Sequence, residues 1–374
     1  MSGSYRRIMQ LQMANLFAET FAWSFVYLHA HNAGHSETTL ALFFVLMFGW
    51  ASVAVVTLLR PARAGPYMAL GLVLRLLALL VVIEVAWYGN LMVAAVLYGT
   101  FIMVFWVPYN LVFMRMTSNA DRAGRSTQLF AMFAIAGAIF PFIAGNLMDW
   151  YGFWVIAIAS CIALVIGVVI ALRTPWGEPV TLDLPRAFRE GRRVMPLVFL
   201  EGFWQGIFWL AIWIGTLRMV DQGSEYGAFL AFLGIMSAVA AVLAGRWSDR
   251  TGERWPPMLL SGIGLAVFLA AVSLGEGNLA LWSLLAGLAY FFAYMLMAFT
   301  FTVVAEAGMQ MDDAMGLREV MLNAGRAVGG CLFMATLILD VPMVWPLVIA
   351  SVAVVVKVAG YWKLMGDTRA TPAE

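Results

Sequence analysis

Twelve long apolar segments follow one another along the chain, and they constrain its fold more than any other feature. A helix needs roughly 20 apolar residues to cross the hydrocarbon core of a bilayer. A soluble domain carries about a quarter charged residues, whereas this chain is 63% hydrophobic and 11% charged. The sequence therefore predicts an all-α polytopic membrane protein with twelve transmembrane helices, at 9–30, 39–59, 66–88, 91–114, 126–148, 152–172, 195–217, 226–246, 257–274, 279–305, 316–338 and 342–364.

Arginine is distributed unevenly between the loops on the two sides of these segments. With a cytoplasmic N-terminus, nearly every loop arginine falls on the inside, as the positive-inside rule requires. We therefore expect a cell membrane protein (plasma or inner membrane) with both termini in the cytoplasm. The longest connection divides the chain into an N-terminal six-helix bundle at 1–172, a cytoplasmic linker at 173–194 and a C-terminal six-helix bundle at 195–374.

The first and seventh segments resemble each other. When 16–28 is placed on 198–210, Glu19 falls on Glu201 and Phe17 falls on Phe199. A carboxylate inside an apolar segment is costly and usually marks a function. Acids at matching places in two halves predict a duplicated membrane protein that works around its centre.

A loop motif between the eighth and ninth segments carries a family resemblance. The residues from Gly245 to Arg254 read GRWSDRTGER, which is similar to the signature G-x-x-x-D-R-x-G-R-[RK] of the major facilitator superfamily. Glu253 departs from the first basic position, and the usual copy between helices 2 and 3 is degraded, with Leu58 for Gly and Ala62 for Asp. The resemblance implies alternating access around a cavity lined by helices 1, 4, 7 and 10.

Polar and aromatic side chains form a stripe on helix 1 and another on helix 7. Their spacing places the members of each stripe on one helical face, and such a face must look onto a cavity or another helix. The members are Gln12, Asn15, Glu19 and Trp23 on helix 1, and Glu201, Trp204, Gln205 and Phe208 on helix 7. Burial disfavours the charged form of a carboxyl, so Glu19 and Glu201 are candidates for proton uptake or substrate contact. Each could equally be a fixed partner of a buried arginine.

Helix 11 contains a second set of candidates, Glu319, Asn323 and Arg326, on one face. Arg326 and Glu201 lie at similar depth, so we predict that they pair within the C-terminal half. Such a pair could switch during transport or be permanently structural. Arg75, in helix 3, is expected to have a peripheral structural role.

Helix 4 contributes aromatic and weakly polar groups near a proline. Pro108 frees a backbone carbonyl, and Trp106, Tyr109 and Asn110 offer stacking and hydrogen bonds. Together with the helix 1 and helix 7 stripes they predict a cavity suited to an amphipathic organic solute. Ordinary helix packing would also explain them.

A cytoplasmic gate is predicted from loop charges. By resemblance, Asp249 of the loop motif, with Arg250 and Gly252 beside it, should pair with the end of helix 5, where Arg122 and Arg125 lie. Arg115 and Glu306 end helices 4 and 10 with opposite charge and could attract each other across the halves.

The function that these features favour is secondary active transport of a small organic solute, coupled to protons. The alternative is a non-transporting membrane assembly factor or sensor of the same fold. An enzyme is not expected, nor is a cofactor, because no ATP-binding loop or metal motif lies in the helices. His29, His31 and His35 could hold a metal, sense external pH or simply be solvated. The expected partners are the lipid bilayer, a small-molecule substrate and protons; no basic tract indicates nucleic acid, and we expect a monomer.

Overall fold

Long α-helices account for almost all of the structure. The computed structural model describes residues 3–58, 60–116, 122–177, 179–251, 255–305 and 309–370. Its α-helices are α1 (Gly3–Phe21), α2 (Val26–Asn32), α3 (Glu37–Ala54), α4 (Ala64–Val81), α5 (Tyr88–Met116), α6 (Arg122–Tyr151), α7 (Phe153–Arg173), α8 (Leu184–Glu190), α9 (Met195–Leu217), α10 (Gly223–Thr251), α11 (Trp255–Ala271), α12 (Leu279–Ala305), α13 (Met311–Ile338) and α14 (Val344–Ala370).

The prediction of an all-α multi-pass membrane protein is confirmed. Within the described residues, 10 helices are long and apolar enough to cross a membrane. Helices α1 and α6 are not among these, so twelve spans in two repeats remain a prediction. Helix α1 carries polar and charged residues among its apolar ones, so its composition alone does not mark it as a span.

Helix pairs in the first half of the chain have counterparts in the second. Helix α1 packs on α6 and α7, as α9 packs on α13 and α14. Helix α4 packs on α5 and α7, as α11 packs on α12 and α14, and the pair α3–α5 corresponds to α10–α12. This is the pattern that a duplicated six-helix unit would produce.

Within the second half, α9 and α13 approach each other through glycine. A Cβ added at Gly202 or Gly206 of α9 would overlap the backbone carbonyl of α13, and one added at Gly325 or Gly329 would overlap the carbonyl of α9. Small residues let helix backbones come together in a membrane, where van der Waals packing replaces the hydrophobic effect between helices. The side chains beside these glycines are therefore held in fixed register across the two helices.

A similar contact joins the two halves of the chain through α6 and α10. An added Cβ at Gly145 would overlap the carbonyl of Gly223, and one at Gly234 would overlap the carbonyl of Gly137. Gly227 lies against the carbonyl of Pro141 in the same way. Helices α3 and α13 form the other long contact between the halves.

The connection between the halves, described at residues 174–177 and 179–194, includes α8, and we call it the strap. Its Trp176 is buried and donates from Nε1 to the carbonyl of Ala171 at 2.7 Å. Val180 donates its backbone N–H to the carbonyl of Ala62 at 2.9 Å, which forms an isolated bridge to the loop before α4.

Candidate functional site

The helical backbone is interrupted beside Glu19. Helix α1 ends two residues after Glu19, and the chain passes through a 3-10 turn at Trp23–Phe25 into α2. Thr20 Oγ1 donates to a carbonyl one turn earlier at 2.9 Å, and Ser24 Oγ donates to the Glu19 carbonyl at 2.8 Å. Irregular backbone at membrane depth occurs where it lines a cavity or is buried in protein, because every backbone polar group needs a partner.

The Glu19 carboxylate belongs to a cluster that we call the N-site: Asn15, Glu19, Arg75 and Tyr98. Arg75 Nη2 pairs with Glu19 Oε2 at 2.5 Å, and the Tyr98 hydroxyl donates to the same oxygen at 2.5 Å. Arg75 Nη1 donates to the Asn15 carbonyl at 2.9 Å and also to Asn15 Oδ1. The Arg75 side chain is fully buried, whereas 39% of the Glu19 side chain is exposed. One face of the ion pair is therefore sealed in protein and the other is accessible.

The expectation that Arg75 is peripheral is wrong. Its guanidinium lies over the rings of Tyr98 and Phe101, 5.5 Å and 4.9 Å from their centroids, and it is the direct partner of Glu19. Trp23, predicted to line the cavity, stacks on Tyr98 with the ring centroids 3.8 Å apart. Position on helix 3 alone did not show that the long arginine side chain reaches the face of α1.

Glu201 lies in a separate buried cluster, the C-site: Glu201, Thr300 and Lys357. Lys357 Nζ is 3.1 Å from Glu201 Oε2, and the Thr300 hydroxyl donates to that oxygen at 3.0 Å. The side chains of Lys357 and Glu201 are 0% and 5% exposed. The Lys357 ammonium also lies 5.7 Å from the centroid of the buried Trp204 ring. This pair is sealed on every side.

Arg326 is held by neutral groups. Its Nε and Nη2 donate to Gln205 Oε1 at 2.9 and 2.8 Å, and its Nη1 donates to Asn323 Oδ1 at 3.0 Å. Its guanidinium carbon lies 5.1 Å from the centroid of the Phe48 ring and 4.6 Å from that of Trp209. Phe48 belongs to the first half of the chain and Trp209 to the second, so Arg326 lies where the halves meet.

The predicted Glu201–Arg326 pair is therefore wrong. Both residues lie at the α9–α13 contact, but Glu201 points to α12 and α14, and Gln205, one turn later, takes the position facing Arg326. Glu201 and Arg326 were predicted to pair because they lie at similar depth in the membrane, but their side chains leave the α9–α13 contact in different directions. Glu319 pairs instead with Arg318 at 2.6 Å, and its carbonyl accepts from Asn323 Nδ2 at 2.7 Å.

The remaining residues predicted to line a cavity have different surroundings. Gln12 is fully buried, and its amide atoms have no hydrogen-bond partner among the described residues. Tyr109 is buried with its hydroxyl likewise unpartnered there, in a row of rings with Phe105 and Trp106. Trp106 and Asn110 are half-buried on α5. The Tyr109 ring packs within α5, and the prediction that this helix lines a cavity remains a prediction.

Tyr294, on α12, is 38% exposed and lies within electrostatic range of both Glu19 and Arg326. Glu19 and Arg326 are themselves partly exposed. We call the region between these three side chains the central space.

On the predicted cytoplasmic side, the two halves and the strap meet at the start of α13. Arg115 Nη2 donates to both carboxylate oxygens of Asp312 at 2.8 and 3.0 Å, and Thr181 of the strap donates its backbone N–H to Asp312 at 2.9 Å. Arg186 Nε donates to Asp313 Oδ2 at 2.6 Å, and this hydrogen bond raises the pKa of Arg186 above its ordinary value. Arg115 thus binds Asp312, an acid of the second half, while its predicted contact to Glu306 remains a prediction.

Several predicted gate residues cannot be placed. Glu306 and Gly252 lie outside the described residues, and so do the side chains of the other predicted members of this gate. These are Asp249, Arg250, Arg122 and Arg125. Their predicted contacts remain predictions.

On the opposite side, an ion pair and a helix cap join the halves. Arg218 forms two hydrogen bonds to the Glu37 carboxylate, at 2.7 and 2.6 Å, and these raise the pKa of Arg218 above its ordinary value. Asp149, at the end of α6, accepts from the backbone N–H groups of Gly223 and Ser224 at 2.6 and 2.8 Å. Because Gly223 begins α10, a carboxylate of the first half caps a helix of the second.

The three histidines do not gather around a common point. His29 and His35 contact the carbonyls of Ile83 and Val85 at 3.1 and 2.5 Å. Among the described residues, no group of three His, Cys, Asp or Glu side chains could hold a metal ion.

Sequence reasoning missed two functional candidates, Lys357 and Tyr98, and misjudged Arg75. Lys357 lies within the apolar sequence of α14, the last predicted segment. Like Glu201, it is an ionisable residue inside a membrane segment, and such a residue usually has a partner and a function. Tyr98 carries no such signal, because tyrosine is common in apolar helices and only the fold shows its hydroxyl at Glu19.

Solved structures of transporters share this fold. A bacterial homologue of the iron transporter ferroportin, in an outward-facing state, is 12% identical, with 97% of this chain and 99% of that chain covered and a TM-score of 0.74. The human organic anion transporter MFSD10 (TETRAN) is 14% identical, with coverages of 96% and 98% and a TM-score of 0.70. A POT family transporter in complex with a thioalcohol-conjugated peptide is 11% identical, with coverages of 97% and 96% and a TM-score of 0.72.

At these identities the structural likeness defines the fold and not the substrate. No curated protein sequence matches the chain. A family model does: the Major Facilitator Superfamily model matches residues 8–330. The match spans both halves of the chain and agrees with the loop motif at Gly245 to Arg254. This chain belongs to the Major Facilitator Superfamily, whose members are membrane transporters and not enzymes.

Proposed function

We propose that the protein is a proton-coupled secondary active transporter of a small organic solute, with Glu19 as the proton carrier. The observation that carries this proposal is the asymmetric burial of the Glu19–Arg75 pair, 39% against 0% exposed. An accessible carboxylate can exchange a proton with the central space while its cationic partner stays in place. Arg75 on α4 and Tyr98 on α5 contact Glu19, and Tyr294 on α12 lies within electrostatic range of it.

Alternating access would use the contacts at the two ends of the halves. Arg115 and Asp312 tie the predicted cytoplasmic end, whereas Arg218 with Glu37 and Asp149 with α10 tie the outer end. Partly exposed pairs are worth only about 0–1 kcal/mol each. Small energies of this size let substrate or proton binding decide which end is open.

The positive-inside distribution supports both termini in the cytoplasm of a cell membrane protein. The matched helix contacts support two six-helix units at 1–172 and 195–374, joined by the strap.

Proteoliposomes test the proposal. The purified chain is reconstituted, a pH gradient is imposed, and uptake is screened over a panel of small organic solutes. We expect flux that follows the proton gradient in the wild type, and flux without proton coupling or no flux in Glu19→Gln. Glu276→Gln, at an exposed loop acid, is the matched control and should behave as wild type.

Proton-coupled flux that is equal in Glu19→Gln and wild type would refute the role of Glu19. Solute binding without flux in the wild type would instead favour the alternative, a non-transporting sensor or assembly factor.

A further inference from the structure

The charges in the membrane interior are balanced at every described site but one. Glu19 is paired with Arg75, Glu201 with Lys357 and Glu319 with Arg318. Among the described residues, no carboxylate forms an ion pair with Arg326. The acids that act on Arg326 at longer range are Glu319 and Glu201, and each already has its own cation.

Neutral hydrogen bonds hold Arg326 in place without cancelling its charge. A guanidinium has five N–H donors, and three hydrogen bonds, to Gln205 and Asn323, account for part of them. A buried charge is stabilised only by a partner of opposite charge or by very good hydrogen bonding. Arg326 is half-buried at the central space, and its charge acts on the Tyr294 hydroxyl.

The amide of Gln205, which holds Arg326, also has a hydrogen-bond donor that lacks an acceptor among the described residues. Gln205 is fully buried, and its Oε1 is occupied by Arg326, which fixes the orientation of the amide. Its Nε2 has no hydrogen-bond partner among the described residues. An unpaired buried donor costs about 1–3 kcal/mol. The amide N–H of Gln205 and the Arg326 N–H groups that have no acceptor among the described residues are donors of the kind that bind a carboxylate.

Aromatic rings adjoin these donors. Phe48 and Trp209 both adjoin the Arg326 guanidinium and each other, with their own centroids 6.1 Å apart, and Trp213 stacks against Trp209 at 6.1 Å. Such rings favour the apolar part of a ligand and orient the guanidinium.

We propose that Arg326 and Gln205 form the binding site for the single carboxylate of an amphipathic organic substrate, whose apolar part packs against Phe48 and Trp209. The proposal that this ligand is transported rests on the proposed transport function. Binding of the ligand at this site does not require transport. One unbalanced cation matches one negative charge. A doubly charged anion would leave its second charge without a partner.

Three probes of nearly equal shape test the charge requirement: indole-3-acetate, indole-3-acetamide and tryptamine. Their binding to the purified full-length chain in nanodiscs is measured by competition against the tightest-binding member of a panel of aryl and alkyl monocarboxylates. We expect each carboxylate to bind at least about tenfold more tightly than its own amide, since charge-assisted hydrogen bonds are roughly twice as strong as neutral ones. Tryptamine should bind more weakly than the acetate.

Variants then assign the effect to residues. Arg326→Gln should abolish the preference for carboxylate over amide, and Arg326→Lys should keep part of it, because the charge remains while the planar fork is lost. Gln205→Leu should weaken carboxylate binding and leave amide binding of the same probe less affected. Lys363→Gln, which removes an exposed charge on α14, is the matched control and should leave every affinity unchanged.

A panel in which no carboxylate binds more tightly than its amide overturns the proposal, and so does a full carboxylate preference in Arg326→Gln. If Arg326→Gln does not fold, the wild-type comparison and Gln205→Leu still decide. Carboxylate binding without flux would reject the transport function and keep the anion site. Proton-driven flux of neutral or cationic solutes alone would reject the anion site and keep the transport function.

Discussion

Replacing Lys357 by methionine should destabilise the protein strongly, because it leaves Glu201 charged and buried. The side chains are 0% and 5% exposed, so solvent does not screen the pair. After the change Glu201 would keep the Thr300 hydroxyl on Oε2, while Oε1 has no partner among the described residues. Removing one member of a buried ion pair costs about 3–5 kcal/mol.

Three further variants isolate the cause. Glu201→Gln with Lys357→Met removes both charges, and replacing a buried pair by neutral groups is often close to neutral. We expect the double variant to recover most of the loss, with a coupling energy of at least about 1 kcal/mol between the two sites. Glu201→Gln alone leaves the ammonium buried and should also destabilise. Lys363→Met removes an exposed lysine of the same helix and should change stability by no more than about 0.5 kcal/mol.

The assay is reversible unfolding in mixed micelles, followed by tryptophan fluorescence and repeated at pH 5 and pH 8. Protonation neutralises an unpaired buried carboxyl, so the loss in Lys357→Met should be smaller at pH 5, where Glu201 is more readily neutral. The reasoning fails if Lys357→Met is as stable as wild type at pH 8, or if the losses of the two single variants simply add in the double variant.

Three other predictions follow from the contacts between helices and between halves. Gly325→Ala should lower stability by about 1–3 kcal/mol, because the new methyl group overlaps the α9 backbone; Gly49→Ala, whose added Cβ would lie 3.7 Å from its nearest neighbour, should fold as wild type in the same micelle assay. Asp312→Asn should increase labelling of cysteines introduced at the cytoplasmic end, since it weakens contacts to Arg115 and the strap, whereas Glu37→Gln should increase labelling at the outer end; the reverse pattern would contradict the assignment of the two ends. Carboxylate affinity should be higher in Glu19→Gln than in the wild type at neutral pH, because the substitution removes a negative charge from the space facing the anion site; equal affinities would contradict that placement.

The sequence was sufficient for the class of fold because apolar segments of bilayer length have few alternatives in structure. It was also sufficient to identify Glu19, Glu201 and Arg326 as candidate functional residues, since ionisable groups inside a membrane need partners. It was not sufficient for the pairing. Partner choice depends on helix rotation and side-chain reach, and neither the Arg75–Glu19 pair nor the Lys357–Glu201 pair can be derived from residue spacing.

The glycine contact between α6 and α10 has a mechanical consequence. At this boundary between the halves, backbone meets backbone at Gly137 with Gly234 and at Gly145 with Gly223. Interlocking side chains would have to disengage and settle into a new set of grooves for each displacement. A contact made by glycine backbone has no interlocking side chains, so it would oppose a small rotation of one half against the other less strongly. In the proposed alternating-access cycle, the α6–α10 contact would allow this rotation. The polar contacts at the two ends of the halves would then hold one end closed while the other opens.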